Sequence, residues 1–114
     1  MVTLYGIPNC DAVKKARRWL EGAGVAYHFH DYRKDGLQQD TLVQWVDELG
    51  WEMLLNRRGS TWRKLPEKEK LAINAERAIT LMLEQPPMIK RPLLDMGGQK
   101  LLGFSEEQYS NLLS

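Results

Sequence analysis

The sequence is poor in the residues that build redox and metal centres, since its 114 residues include one cysteine, two histidines and two phenylalanines. A single thiol excludes an internal disulfide. Cys10, His28 and His30 cannot complete a tetrahedral metal set without carboxylates from elsewhere. His28 and His30 stand two apart in an expected strand, so both point to one face and read as half-exposed strand residues rather than ligands. An excess of one charge is also lacking, because 16 basic and 15 acidic side chains leave a formal net charge of +1. A strongly charged partner is therefore not demanded. Nucleic-acid binding, which would need a local basic patch, is not expected. No apolar run approaches the roughly 20 residues of a membrane-spanning helix. Met1 to Gly6 lacks the basic start and long apolar stretch of a signal peptide. The expectation is a cytoplasmic protein with no membrane partner. The length fits one domain over residues 1–114, enough for a single modest core.

Patterning supplies the elements. Val2 to Tyr5 is a β-rich run broken by Gly6 and Pro8, so it predicts a strand and a tight loop. From Asp11, the helical spacing of Val13, Ala16, Leu20 and Ala23 predicts a helix, with Gly22 and Gly24 as terminators. Val25 to Tyr32 predicts a second strand, parallel to the first across a right-handed βαβ crossover. In the middle, Leu42, Val43, Val46 and Leu49 form an apolar stripe ending at Gly50, with Asp40 or Thr41 as its cap. A short helix is expected from Met53. The basic turn Asn56–Ser60 follows, anchored to the core by Trp62 and Leu65. Glu67 to Ala72 forms a further segment, and Ala75 to Leu83 a helix with Ala78, Ile79, Met82 and Leu83 inward. Met88 to Asp95 and Gln99 to Leu102 flank the Gly-Gly hairpin signal Met96-Gly97-Gly98. Ser105 opens a capping box, predicting a terminal helix to Leu113. The order βαβ, helices, ββα is an α/β class with a mixed four-stranded sheet and a helical insertion at about 38–86. Thioredoxin-like folds have this outline.

Cys10 falls in the loop after the first strand, at the first turn of the first helix. Unpaired backbone N–H groups and the positive end of the helix dipole stabilise a thiolate there. The thiolate is the nucleophilic form, so this position suits a reactive cysteine better than a packed thiol. Asp11 acts in the opposite sense unless it points away. Arg91 precedes Pro92, and X-Pro is where cis peptides occur. A cis-proline at this position in thioredoxin-like folds lies beside the active-site cysteine, which would bring Arg91 to Cys10.

Three stretches in order, Leu4-Tyr5-Gly6-Ile7-Pro8-Asn9-Cys10-Asp11, Leu54 to Leu65 (with Arg58-Gly59-Ser60-Thr61-Trp62), and Pro87 to Leu94, resemble the ArsC/Spx family over essentially the whole chain. The likeness is to its YffB-type members. In glutaredoxin-coupled arsenate reductases of that family, a cysteine attacks arsenate, three arginines hold the oxyanion and glutathione takes the intermediate. The resemblance implies Cys10 as nucleophile and Arg91, before Pro92, as one arginine. Strict alignment places Asn56 at another arginine, with Arg57 and Arg58 just beyond, and the YffB-type likeness selects Arg58. Asn9 and Pro92 complete the implied glutathione-binding set.

The third arginine is replaced by Gly103, and the Gly-Thr-Ser stretch after the cysteine by Asp11-Ala12-Val13. Losing a bidentate donor to an oxyanion costs about 2 kcal/mol or more, which counts against efficient arsenate reduction. Val13 also removes any Cys-x-x-Cys pair, so an external thiol must resolve the adduct. The resemblance therefore implies a thiol reductase with no bound cofactor and glutathione as co-substrate, and with a glutaredoxin or a protein disulfide as further partners. Two alternatives are a true arsenate reductase and a Spx-like regulator that binds RNA polymerase without catalysis. The regulator reading offers Arg57, Arg63 and Lys64 near Trp62 as a protein contact.

Overall fold

The computed structural model describes residues 1–113 and divides into two compact units, one formed by Met1–Gly36 with the chain from Arg91 onward, the other by Leu37–Lys90. The first unit contains strands β1 (Thr3–Gly6), β2 (His28–Asp31), β3 (Leu93–Asp95) and β4 (Lys100–Leu102), with helices α1 (Asp11–Gly22) and α2 (Tyr32–Asp35). The sheet order is β2-β1-β3-β4. β1 pairs parallel with β2 and antiparallel with β3, and β3 pairs antiparallel with β4. This is the expected mixed four-stranded sheet of a thioredoxin-like fold. Its core is a set of fully buried side chains: Leu4 and Leu94 from the sheet, Val13, Ala16 and Leu20 from α1, and Tyr109 from the C-terminal helix.

The second unit is helical: α3 (Gln39–Leu49), α4 (Trp51–Leu54), α5 (Ser60–Arg63), α6 (Glu67–Leu71), α7 (Ala75–Glu84) and a 3-10 turn at Pro86–Met88. α3 and α4 both pack on α7, which also meets the 3-10 turn. Chain order then returns to the first unit, which ends in α8 (Glu106–Leu113). No helix among the described residues is long and apolar enough to cross a membrane.

Several local expectations are corrected. β2 begins at His28, not Val25, because the chain is still closing α1. The N–H groups of Gly24 and Val25 donate to the Glu21 and Leu20 carbonyls, a Schellman pattern with Gly24 at φ +72°. Gly24 is the terminator, and Ala23 is an exposed cap rather than part of the buried face. At its other end β2 stops at Asp31, whose carboxylate accepts the Arg33 N–H and caps the four-residue α2. In α3 the N-cap is Gln38, not Asp40 or Thr41, and Trp45 is buried with Leu42 while Val43, Val46 and Leu49 are half-buried. α4 starts at Trp51 and leaves Met53 exposed. In α7 the buried set is Ala78, Leu81 and Met82, with Ile79 and Leu83 half-buried. Met88 and Ile89 are buried but lie outside β3, which starts only after Pro92, a residue with no N–H for a ladder. Trp62 and Leu65, expected as core anchors, are half-buried. The hairpin and the Ser105 cap agree with expectation: Met96 N–H donates to the Gln99 carbonyl, and Gln108 N–H to Ser105 Oγ at 3.3 Å.

Candidate active site

The site begins with the end of a strand. β1 ends at Gly6, and a Cβ there would lie 2.8 Å from a methyl carbon of Val13. The absence of a side chain thus lets the first turn of α1 sit directly against the strand. Ile7 is buried, Pro8 and Asn9 are exposed, and Cys10 is the half-buried N-cap of α1. Its carbonyl accepts the Lys14 N–H, the first bond of the helix. The sulfur makes no capping hydrogen bond of ordinary length, but the Val13 and Ala12 N–H groups face it.

Arg91 stands beside the sulfur, and the Arg91-Pro92 bond is cis, with Pro92 buried. Burial pushes the Cys10 thiol up. The Val13 N–H, the Arg91 guanidinium (by hydrogen bond and by charge) and the Ala12 N–H outweigh it and leave the thiol below its usual range. Asp11, exposed on the first turn, is not among the groups that shift the thiol. The structure therefore brings Arg91 to Cys10, with Pro92 following Arg91 across the cis bond.

Asn9 precedes the sulfur with its side chain exposed. Arg58 lies in the second unit, exposed, with its backbone N–H donating to Asn56 Oδ1 at 3.1 Å. Neighbouring Arg57 is held over the Trp62 ring, 5.7 Å from its centroid.

Sequence reasoning missed Tyr32. It is 3% exposed, and burial, with Tyr5 adding to it, raises its phenol while the Arg91 charge acts in the opposite sense. Tyr32 also stacks on Tyr5 at 6.3 Å. Its place in an apparent strand, Tyr-His-Phe-His-Asp-Tyr, gave no signal of this. His30 makes ring contact with Tyr5 and its Nε2 lies 2.6 Å from the Gly36 carbonyl.

Gly103 occupies the position where the resemblance calls for an arginine. It has φ +78°, and its N–H donates to the Pro92 carbonyl at 2.9 Å. Nothing lies within 4 Å of a Cβ built there. An arginine therefore has room but the wrong backbone. G103R is expected to destabilise the protein by about 1 kcal/mol through the left-handed conformation, measured as a lowered urea midpoint with unchanged slope.

A parallel βαβ unit followed by an antiparallel hairpin, a thiol at the head of α1 and an arginine before a cis-proline together define a narrow structural type. The ArsC family model matches residues 5–112. The YffB (PA3664) protein is 48% identical with a TM-score of 0.95, each chain covered fully. An arsenate reductase (ArsC) related protein from Brucella melitensis is 51% identical with a TM-score of 0.81, over 96% of this chain and 92% of that one. An uncharacterized protein of Haemophilus influenzae is 43% identical over 96% of both chains. The global transcriptional regulator Spx of Streptococcus pyogenes is 30% identical over 100% of this chain and 86% of its own length. With nearly the whole chain matched, the protein belongs to the ArsC family.

Proposed function

We propose that this chain is a glutathione-dependent thiol reductase with the Cys10 thiolate as nucleophile. The observation that carries the reading is the half-buried Cys10 at the head of α1, its thiol lowered by the Val13 N–H and by Arg91. For a glutathione mixed disulfide, the Cys10 thiolate attacks the glutathione sulfur, the old S–S bond breaks and the substrate leaves as a thiolate. A second glutathione thiolate then attacks the Cys10 adduct, releasing glutathione disulfide and regenerating the Cys10 thiolate. Net, one free glutathione reduces the mixed disulfide: its sulfur leaves joined to the substrate's glutathionyl sulfur as glutathione disulfide, and its proton goes to the substrate thiolate. In this reading Arg91, with Arg58 carried over from the family likeness, meets the glutathione carboxylates, and Asn9 and Pro92 border the sulfur. A glutaredoxin or a protein disulfide is the further thiol partner, in the reducing cytoplasm. Arsenate is the poorer substrate, because Gly103 supplies no guanidinium.

The experiment follows glutathione disulfide produced from glutathione and a small mixed disulfide. Wild-type protein is expected to turn over, and C10S to lose all activity above background. Arsenate with glutathione and glutaredoxin is expected to react far more slowly. A folded wild-type protein that produces no glutathione disulfide would refute the reading. The regulator reading would then stand first, favoured by the 30% identical relative named a global transcriptional regulator. That relative also removes the ground for setting nucleic-acid-linked partners aside on net charge alone.

A further inference from the structure

Between the outer face of α1 and the start of α8 runs a cleft of about 820 Å³. One wall carries Asp11, Lys15, Arg18 and Trp19, residues that share a helix face, and the opposite wall carries Phe104 and Glu106. The aromatic walls are held in place: Trp19 and Phe104 both pack edge-on against the fully buried Tyr109, at 5.7 Å and 4.9 Å between ring centroids. Lys15 and Arg18 are exposed and form no salt bridge with Asp11 or Glu106. Cys10 is the chain neighbour of Asp11 but does not itself line the cleft.

We propose that this cleft holds the peptide segment flanking the sulfur that a partner protein presents to Cys10, an extended segment with acidic side chains at its middle and an apolar one at its far end. This rests on the reading of Cys10 as a nucleophile. Length and charge both select such a segment. Trp19 is nine residues beyond Cys10, about 13 Å along the helix axis, a distance that about four extended residues span. Glutathione has one residue on each side of its cysteine, so with its sulfur at Cys10 it does not reach Trp19. Asp11 repels an acid on the residue next to the sulfur. One and two turns further on, Lys15 and Arg18, neither held in an ion pair, offer cations to acids placed along that wall. Trp19 and Phe104 offer a rigid apolar seat at the end.

The test uses capped pentapeptides with S-methylcysteine at one end, then glycine, two glutamates and phenylalanine, made in both chain directions. They are compared with versions carrying lysine for glutamate and with S-methylglutathione. Binding is followed by amide and indole NMR shifts. S-methyl groups cannot exchange, so the result is independent of Cys10 reactivity. An inert thiol sinks the reductase reading, whereas an empty cleft sinks only this one. The expected result is a shift of the Trp19 indole N–H and of the amides at 104–106 with an acidic pentapeptide. The K15E/R18E protein, its fold checked by the same spectra, is expected to bind about tenfold more weakly or worse. Equal binding of lysine and glutamate peptides would overturn the proposal. So would shifts confined to the neighbourhood of Cys10 and Arg91, or S-methylglutathione moving Trp19 as strongly.

Discussion

Replacing Arg91 by alanine will move the alkylation profile of Cys10 to higher pH and slow the reaction several-fold at neutral pH. The direction follows from the forces on the sulfur. Burial opposes the thiolate, and two backbone N–H groups and one guanidinium favour it. R91A leaves the burial and the N–H groups of Val13 and Ala12 in place and removes the cation. The thiolate fraction at a given pH falls, so the rising limb of the rate shifts upward. At a pH above both values every thiol is ionised and the rate gap closes, with R91A at least as fast as wild type because the more basic thiolate is the stronger nucleophile. That convergence separates a lost electrostatic partner from a blocked sulfur, which would depress the plateau as well.

High salt acts in the same direction on wild-type protein but less strongly, because a half-exposed charge pair is screened while the hydrogen bond persists. The sign for stability is consistent. A thiol lowered on folding contributes stability at pH above the unfolded thiol's value, and that contribution is lost as pH falls through the folded value. An R91A profile identical to wild type would show that Arg91 does not act on the thiol.

The largest expected loss of stability comes from Leu4→Ala. Leu4 is fully buried at the centre of the sheet, opposite Phe29 on β2 and Leu94 on β3. It contacts the cluster formed by α1 and Tyr109. Truncation removes apolar contacts and leaves a cavity under paired strands that cannot collapse onto it. The cost is about 2–5 kcal/mol, which corresponds to roughly 10–20 °C in melting temperature for a domain of this size. Leu71→Ala is the matched control. Leu71 is 82% exposed on α6, so its truncation is expected to change stability by less than about 0.5 kcal/mol. Equal effects from the two substitutions, read from urea midpoints at constant slope, would contradict the packing described for Leu4.

The position of Cys10 was legible in the sequence because it depends on neighbours in the chain. Gly6 and Pro8 end a strand, and Val13, Ala16 and Leu20 begin a helical period, so the residue between them stands at a helix N-terminus wherever the rest of the chain goes. The Ser105 cap and the Gly-Gly hairpin are local in the same sense, since each is satisfied within a few residues. The boundaries of β2 were not legible. Val25 to Tyr32 has uniform β propensity, yet the Schellman closure at Gly24 and the Asp31 cap consume both ends of the run. Choosing Trp45 over Val43 and Val46 as the buried residue of α3 required knowing which way the helix is turned in its unit, and an apolar stripe two residues wide does not specify that.

By itself, then, the sequence determined the order of strands and helices, that a thiol heads the first helix, and that it holds no second cysteine to resolve it. These follow from short-range sterics, hydrogen bonding and composition. Tertiary structure alone decided that β1 lies between β2 and β3 and that Trp19 and Phe104 face one cleft over Tyr109, whereas the approach of Arg91 to Cys10 across 80 intervening residues was expected only from the likeness to thioredoxin-like folds. Such contacts join residues whose separation in the chain carries no signal. They exist because burying Leu4, Leu94 and Tyr109 together leaves one arrangement of the sheet and its helices, and the side chains at its edge take their neighbours from that packing.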